Sequence, residues 1–189
     1  MPFKGTYYTT AGNWTTQIPL AEFQDKPIKY LEIGVLYGCN LLSVCNTYAK
    51  HPQSQVFALD PWEDYPDYQE YQDQLPSIYN TFLENIQSSS FKNKISVVRG
   101  YSHLEVPKFQ DHFFDIIYID ANHEPEYVLE DAVVAFRKLK IGGYLIFDDY
   151  GWGGPDMTKR GIDSFVDGYF KRITVVCQPG SQLIIKKTR

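Results

Sequence analysis

The sequence predicts one doubly wound α/β domain, a mostly parallel sheet flanked by helices and finished by an antiparallel hairpin. Three observations predict it. Short β-branched apolar runs alternate with longer amphipathic stretches along the chain, the pattern of consecutive βα units. The run Phe114–Ile119 (FDIIYI) is nearly all apolar, as a strand covered on both faces must be. Gln178-Pro179-Gly180-Ser181 separates the last two apolar runs and reads as a hairpin turn.

The elements follow in order. Ile28–Ile33 (IKYLEI) is the first strand and ends at Gly34. Asn40–Lys50 carries Leu41, Leu42, Val44, Cys45 and Tyr48 at helical spacing. Gln55–Leu59 is a second strand, stopped by Asp60-Pro61. Pro76–Gln87 places Ile78, Phe82, Leu83 and Ile86 on one helical face. Lys94–Val98 is the third strand and Phe114–Ile119 the fourth. Tyr127–Leu139 reads as a helix with Val128, Ala132, Val133 and Phe136 inward. A Gly142-Gly143 turn then feeds Tyr144–Phe147, the fifth strand, and a helix spans Thr158 to Phe170. Ile173–Cys177 and Gln182–Lys186 form the hairpin. Parallel crossovers of this kind are right-handed.

The 189 residues suit a single domain, and 43% hydrophobic content with 16% aromatics excludes a disordered acidic chain. A net charge of −5 argues against general nucleic-acid binding, which neutralises phosphates with Lys and Arg. No apolar run approaches the ~20 residues that span a bilayer, and MPFKGTYYTT lacks the apolar core of a signal peptide. Cys39, Cys45 and Cys177 show no CxxC spacing. Buried thiols in a reducing cytoplasm are the expected reading.

Ligands on such sheets bind at the carboxyl ends of the strands, near the point where the strand order reverses. After the first strand comes Glu32-Ile33-Gly34-Val35-Leu36-Tyr37-Gly38-Cys39-Asn40. Gly34 and Gly38 allow a tight turn and close backbone approach, and the helix amides that follow can hold a carboxylate or phosphate. The spacing is GxxxG, not the GxGxxG of dinucleotide binders. Asp60 ends the second strand, 22 residues beyond Gly38, where a carboxylate can accept from both hydroxyls of a ribose; a turn or helix-cap Asp is the plainer alternative. Ser102, after the third strand, can meet a base edge or cap a helix. Asp120 follows the fourth strand and Asp148-Asp149 the fifth. Three converging carboxylates without a nearby base repel one another, and a hard divalent cation such as Mg²⁺ or Mn²⁺ relieves that repulsion. His123, three residues after Asp120, is a candidate general base or an ordinary loop histidine.

Glu32-x-Gly34-x-x-x-Gly38, the acid ending the second strand, Asp120 ending the fourth and GGYLIFDDYGW around the fifth together resemble the class I S-adenosylmethionine-dependent methyltransferases. Within that class the chain is similar to the small metal-dependent O-methyltransferases of the catechol, caffeoyl-CoA and macrolide-sugar types. The likeness covers Lys29 to Arg189 and implies a Rossmann-like seven-stranded sheet. It also implies that Glu32, Gly34 and Gly38 line the methionine part of the cofactor, with Asn40 near its carboxylate. Asp60 would hold the ribose and Ser102 would lie near the adenine. Asp120, Asp148 and Asp149 match metal ligands, with Asp149 standing where catechol-type enzymes have Asn. His123 falls where those enzymes carry a basic Lys.

The expected chemistry is direct methyl transfer to a hydroxyl oxygen, with His123 taking the proton and Asp120 holding the cation. A vicinal diol chelates a metal well, so a sugar or catechol is the expected acceptor. Trp62–Asp73 holds five acids (Glu63, Asp64, Asp67, Glu70, Asp73) and four aromatics (Trp62, Tyr65, Tyr68, Tyr71), which suits a polyhydroxylated ligand or else packs on the sheet. Residues 29–189 form the cofactor domain, and residues 1–28 are the expected cover of the acceptor site. The acidic segment, the Gly151–Lys159 loop or a partner subunit of a homo-oligomer can complete that pocket. The rival readings are an NAD(P)-dependent dehydrogenase, a metal-dependent hydrolase using the same acids, and a non-catalytic cofactor-binding protein.

Overall fold

The structure, a computed structural model, describes residues 2–6, 10–63, 71 and 73–189. Its strands are β1 (Lys29–Ile33), β2 (Gln55–Asp60), β3 (Ile95–Arg99), β4 (Phe114–Ile119), β5 (Leu139–Phe147), β6 (Ile173–Cys177) and β7 (Leu183–Lys187). Its helices are α1 (Cys39–Asn46), α2 (Leu75–Ser88), α3 (Ser102–Glu105), α4 (Pro125–Lys138) and α5 (Thr158–Tyr169). Among the described residues the strands make one seven-stranded sheet in the order β3-β2-β1-β4-β5-β7-β6. β1 to β5 pair in parallel, and β7 runs antiparallel to both β5 and β6. The order reverses between β1 and β4, which opens a crevice at their carboxyl ends.

The central strands are buried on both faces, and alternate residues serve different halves of the core. Tyr30, Ile116, Tyr118 and Ile146 face a cluster built with Val44 and Cys45 of α1 and Ile78 and Phe82 of α2. Leu31, Ile33, Ile117 and Phe147 face the other side, against Phe136 of α4 and Phe165 of α5. Lys187, 2% exposed, donates to the carbonyls of Phe136 and Leu139 at 2.7 and 2.8 Å, closing the C-terminal end of α4.

Two expectations shift. The Gly142-Gly143 pair is not a turn before β5 but lies inside it, where the pairing with β4 slips between Phe114 and Ile116. Gly142 has φ +83°, and a Cβ on Gly143 would sit 2.8 Å from the Asp115 carbonyl oxygen. Two glycines within an apolar run mark a bulge as readily as a turn. Residues 102–105 form the short helix α3, followed by a 3₁₀ turn at Val106–Lys108, both too short to show a period.

The residues before β1 carry structure of their own. They contain two 3₁₀ turns, Ala11–Trp14 and Leu20–Glu22, and they enter the core. Trp14 and Ile18 are fully buried. Trp14 stacks on Tyr48 with centroids 4.8 Å apart, and the Tyr48 hydroxyl donates to the Ile18 carbonyl at 2.6 Å. Further upstream, the Lys4 amide donates to Asn85 of α2 at 2.9 Å, and Gly5 lies against the Tyr37 ring.

Candidate active site

A cavity of about 570 Å³ opens at the carboxyl ends of the parallel strands. Its wall begins with the β1–α1 loop. Gly34 has φ +82°, and a Cβ there would lie 1.9 Å from the Asp120 carbonyl oxygen, so only glycine lets β1 and β4 approach this closely. Leu36 follows with φ +51°, and Gly38, φ +82°, precedes α1. Gly38 packs on the Phe82 ring and is not part of the cavity wall, unlike Gly34 and Asn40.

Asp60 explains why this loop holds its shape. Its Oδ2 accepts from the amides of Val35 and Leu36 at 2.8 and 3.1 Å, and Oδ1 from the Trp62 amide at 2.7 Å. Burial raises its pKa, and these three backbone bonds oppose the rise. The Trp62 indole N–H donates to the Leu36 carbonyl at 2.9 Å, while its ring, fully buried, stacks on Phe82. Trp62 is therefore core and not a ligand-facing platform. Of its acidic segment, Glu63 and Tyr71 line the cavity, whereas Asp64, Tyr65, Asp67, Tyr68 and Glu70 lie outside the described residues.

Glu32 is 2% exposed. Its Oε2 accepts from the Tyr30 hydroxyl at 2.5 Å and from Asn40 Nδ2 at 2.8 Å. Burial pushes its carboxyl up to about 8, against those two hydrogen bonds and one from the Leu41 amide. Asn40 Oδ1 is buried without a hydrogen-bond partner among the described residues.

The acids of β4 and β5 stand opposite. Burial, then the charges of Asp148 and Asp149, hold the Asp120 carboxyl well above its usual range. One oxygen of Asp120, one nitrogen of His123 and one oxygen of Asp149 lie within 4.8 Å of each other, a spacing able to hold a cation. His123 Nε2 is 3.1 Å from Asp149 Oδ2, and its ring packs on Trp152 with centroids 4.3 Å apart. Asp149 takes φ +52°, a conformation rare outside glycine that turns the chain at the end of β5. Asp148 is not one of those three groups. Its Oδ2 accepts from the Tyr118 hydroxyl at 2.5 Å, and its buried Oδ1 has no hydrogen-bond partner among the described residues. The structure thus brings His123 into the acid cluster, an arrangement that three-residue spacing alone does not reveal.

At the β3 side the wall is formed by Tyr101, Ser102 and, from α4, Tyr127 and Asp131. Asp131 is 4% exposed; burial raises its carboxyl to about 7, and the nearby Ser102 side chain opposes the rise. Sequence reasoning passed over Asp131. Its signal was a carboxylate one position before Ala132, on the apolar face of a predicted helix.

Comparisons with known proteins agree with this geometry. The methyltransferase-domain family matches residues 31–150, well over half of the chain. No curated protein sequence matches the chain significantly. Among solved structures, a candidate rRNA methylase from Clostridium thermocellum superposes with a TM-score of 0.70 at 14% identity, covering 98% of this chain and 99% of that one. The O-methyltransferase TomG from Streptomyces achromogenes, solved with S-adenosylmethionine, gives 0.65 at 15% identity over 96% and 82%. MycE of the mycinamycin biosynthetic pathway, solved with Mg and S-adenosylhomocysteine, gives 0.64 at 18% identity, over all of this chain and 52% of its own. The chain belongs to the methyltransferase-domain family and has the fold of the class I S-adenosylmethionine-dependent methyltransferases.

Proposed function

We propose that the protein transfers the methyl group of S-adenosylmethionine to a hydroxyl oxygen of a small molecule or sugar, assisted by Mg²⁺ or Mn²⁺. The observation that carries this reading is one continuous cavity bounded by the glycine loop on one side and by Asp120, His123 and Asp149 on the other. The cofactor supplies an activated methyl carbon on a positively charged sulfur. Glu32, Gly34 and Asn40 form the wall for its methionine end, with Gly38 setting the turn behind them. Three backbone amides engage Asp60, and a carboxylate offers about four acceptor positions, so it keeps room for one ribose hydroxyl. Ser102 lies on the wall assigned to the base.

The acid cluster fits a divalent cation. Burial, together with the charge of neighbouring acids, raises the Asp120 and Asp148 carboxyls, Asp148 Oδ1 is a buried acceptor with no hydrogen-bond partner among the described residues, and the acid donors are all oxygen. Asp120, Asp148 and Asp149 would hold the ion, and its charge would lower the pKa of an acceptor hydroxyl. His123 would take the hydroxyl proton as the oxygen–carbon bond forms and the carbon–sulfur bond breaks, and Asp149 beside it stabilises the resulting imidazolium. Residues 1–28, which reach Tyr37 on the cavity wall through Gly5, would cover the acceptor. No helix among the described residues is long and apolar enough to cross a membrane.

The test is methyl-labelled S-adenosylmethionine with a panel of catechols, glycosides, nucleotide sugars and RNA, with Mg²⁺ or with EDTA. Label in a hydroxyl ether, lost in EDTA, is the expected result. Transfer to RNA, or transfer indifferent to EDTA, overturns the acceptor or the metal assignment respectively.

A further inference from the structure

The face of β4 that packs with α1 and α2 carries a polar chain ending at the acid cluster. Tyr118 is fully buried, and its hydroxyl donates to Asp148 Oδ2 at 2.5 Å while accepting from Gln182 Nε2 at 2.9 Å. A phenol has one proton to give. Because the buried Gln182 amide already donates to that oxygen, the proton is committed to Asp148. The ring is held as well, since the buried Trp14 stacks on it with centroids 6.1 Å apart and planes 19° apart. Tyr118 pairs with Ile146 of β5, two residues before Asp148, so the sheet register sets where hydroxyl and carboxylate meet. One oxygen of Asp148 is thereby occupied. Oδ1, buried without a hydrogen-bond partner among the described residues, keeps its lone pairs, a costly state for an acceptor that no ligand meets.

We infer that Tyr118 is a positioning residue: with Gln182 behind it, it occupies Asp148 Oδ2 and reserves Oδ1 for the cation. The inference rests on the metal reading above. A carboxylate free to rotate presents either oxygen and loses that freedom when an ion arrives, whereas one pinned from behind presents a single oxygen already in place. Tyr30 of β1 makes a matched case. It is equally buried, and its hydroxyl donates at 2.5 Å to Glu32, an acid on the cofactor side of the cavity and not on the cation side.

Calorimetric titration of Mn²⁺ into the protein, with S-adenosylhomocysteine titrated separately in the absence of metal, tests the inference without turnover. Tyr118→Phe keeps the ring and removes the hydroxyl. It should weaken Mn²⁺ binding by about tenfold to a hundredfold and leave S-adenosylhomocysteine affinity at the native value. Tyr30→Phe removes an equally buried hydroxyl and should leave Mn²⁺ affinity at the native value. Native Mn²⁺ affinity in Tyr118→Phe, or equal losses of Mn²⁺ affinity in the two variants, overturns the inference. Should Tyr118→Phe fail to fold, Gln182→Met, which frees the Tyr118 proton to turn from Asp148, should weaken Mn²⁺ several-fold, and native affinity there overturns the inference instead. A native protein that binds S-adenosylhomocysteine but no Mn²⁺ overturns the metal reading itself, and the inference with it.

Discussion

Gly34→Ala and Gly142→Ala make a matched pair. Both glycines have nearly the same left-handed φ, +82° and +83°, but a Cβ at Gly34 would lie 1.9 Å from the Asp120 carbonyl oxygen while one at Gly142 meets nothing within 4 Å. Placing an alanine in this conformation costs about 1 kcal/mol at either site. At Gly34 the loop must also retreat by at least 1.1 Å, the gap between 1.9 Å and the 3.0 Å below which real Cβ contacts essentially do not occur. That retreat strains the bonds from the Gly34 amide to Leu59 (2.9 Å) and from the Asp120 amide to Ile33 (2.8 Å), about 1 kcal/mol each. Gly34→Ala should therefore lose about 3 kcal/mol against about 1 for Gly142→Ala, or ~6–12 °C in Tm against ~2–4 °C for a domain of this size. Because Asp120 borders the loop, S-adenosylhomocysteine affinity should also fall more than tenfold in Gly34→Ala alone. Scanning calorimetry and isothermal titration read both quantities. Equal Tm losses in the two variants, or native affinity in Gly34→Ala, would refute the close-approach argument.

Three other predictions concern charge. Glu32 titrates near 8 in the fold against 4.5 as a free side chain, because burial disfavours its ionised form. The folded state therefore binds the extra proton between those values, and Glu32 makes stability fall as pH rises from about 4.5 to 8, by up to about 5 kcal/mol. Glu32→Gln should flatten that decline in urea unfolding at pH 6 and pH 9, and an unchanged decline contradicts the assignment. Mg²⁺ or Mn²⁺ at a hundredfold its Kd should stabilise the native protein by about 3 kcal/mol. Asp120→Asn should remove that thermal shift, and a shift that survives places the ion elsewhere. His123→Gln should lower kcat by ~10²–10⁴ with KM little altered, and stopped assays showing near-native kcat exclude it as the base.

The parallel core was legible because strands buried on both faces leave a compositional trace. Phe114–Ile119 and Ile173–Cys177 match their predicted limits, since their apolar runs end at polar or turn residues. The residues ending β1, β2, β4 and β5 were legible as a group, because the fold rule points to them before any contact is known. What stayed hidden depends on tertiary packing. Trp14 and Ile18 carry no periodic signal, and their place in the core is set by Tyr48, some thirty residues away. The inward turn of Trp62 depends on Phe82 and the Leu36 carbonyl. Asp131 is separated from Ser102 by a whole strand, so their meeting on one cavity wall could not be read from spacing. The Gly142-Gly143 bulge looked like a turn because the same residues serve both geometries.

The three amides gathered by Asp60 have a kinetic consequence. Ordering a loop residue costs ~1–2 kcal/mol of backbone entropy, and here that ordering accompanies folding, once, and does not recur at each arrival of a cofactor. On the proposed function a methyl donor is exchanged after every turnover, because the demethylated product would occupy the same cavity. A loop already shaped receives the new molecule without rearranging, so the departure of the spent one, and not the capture of the fresh one, becomes the step that sets the rhythm of exchange.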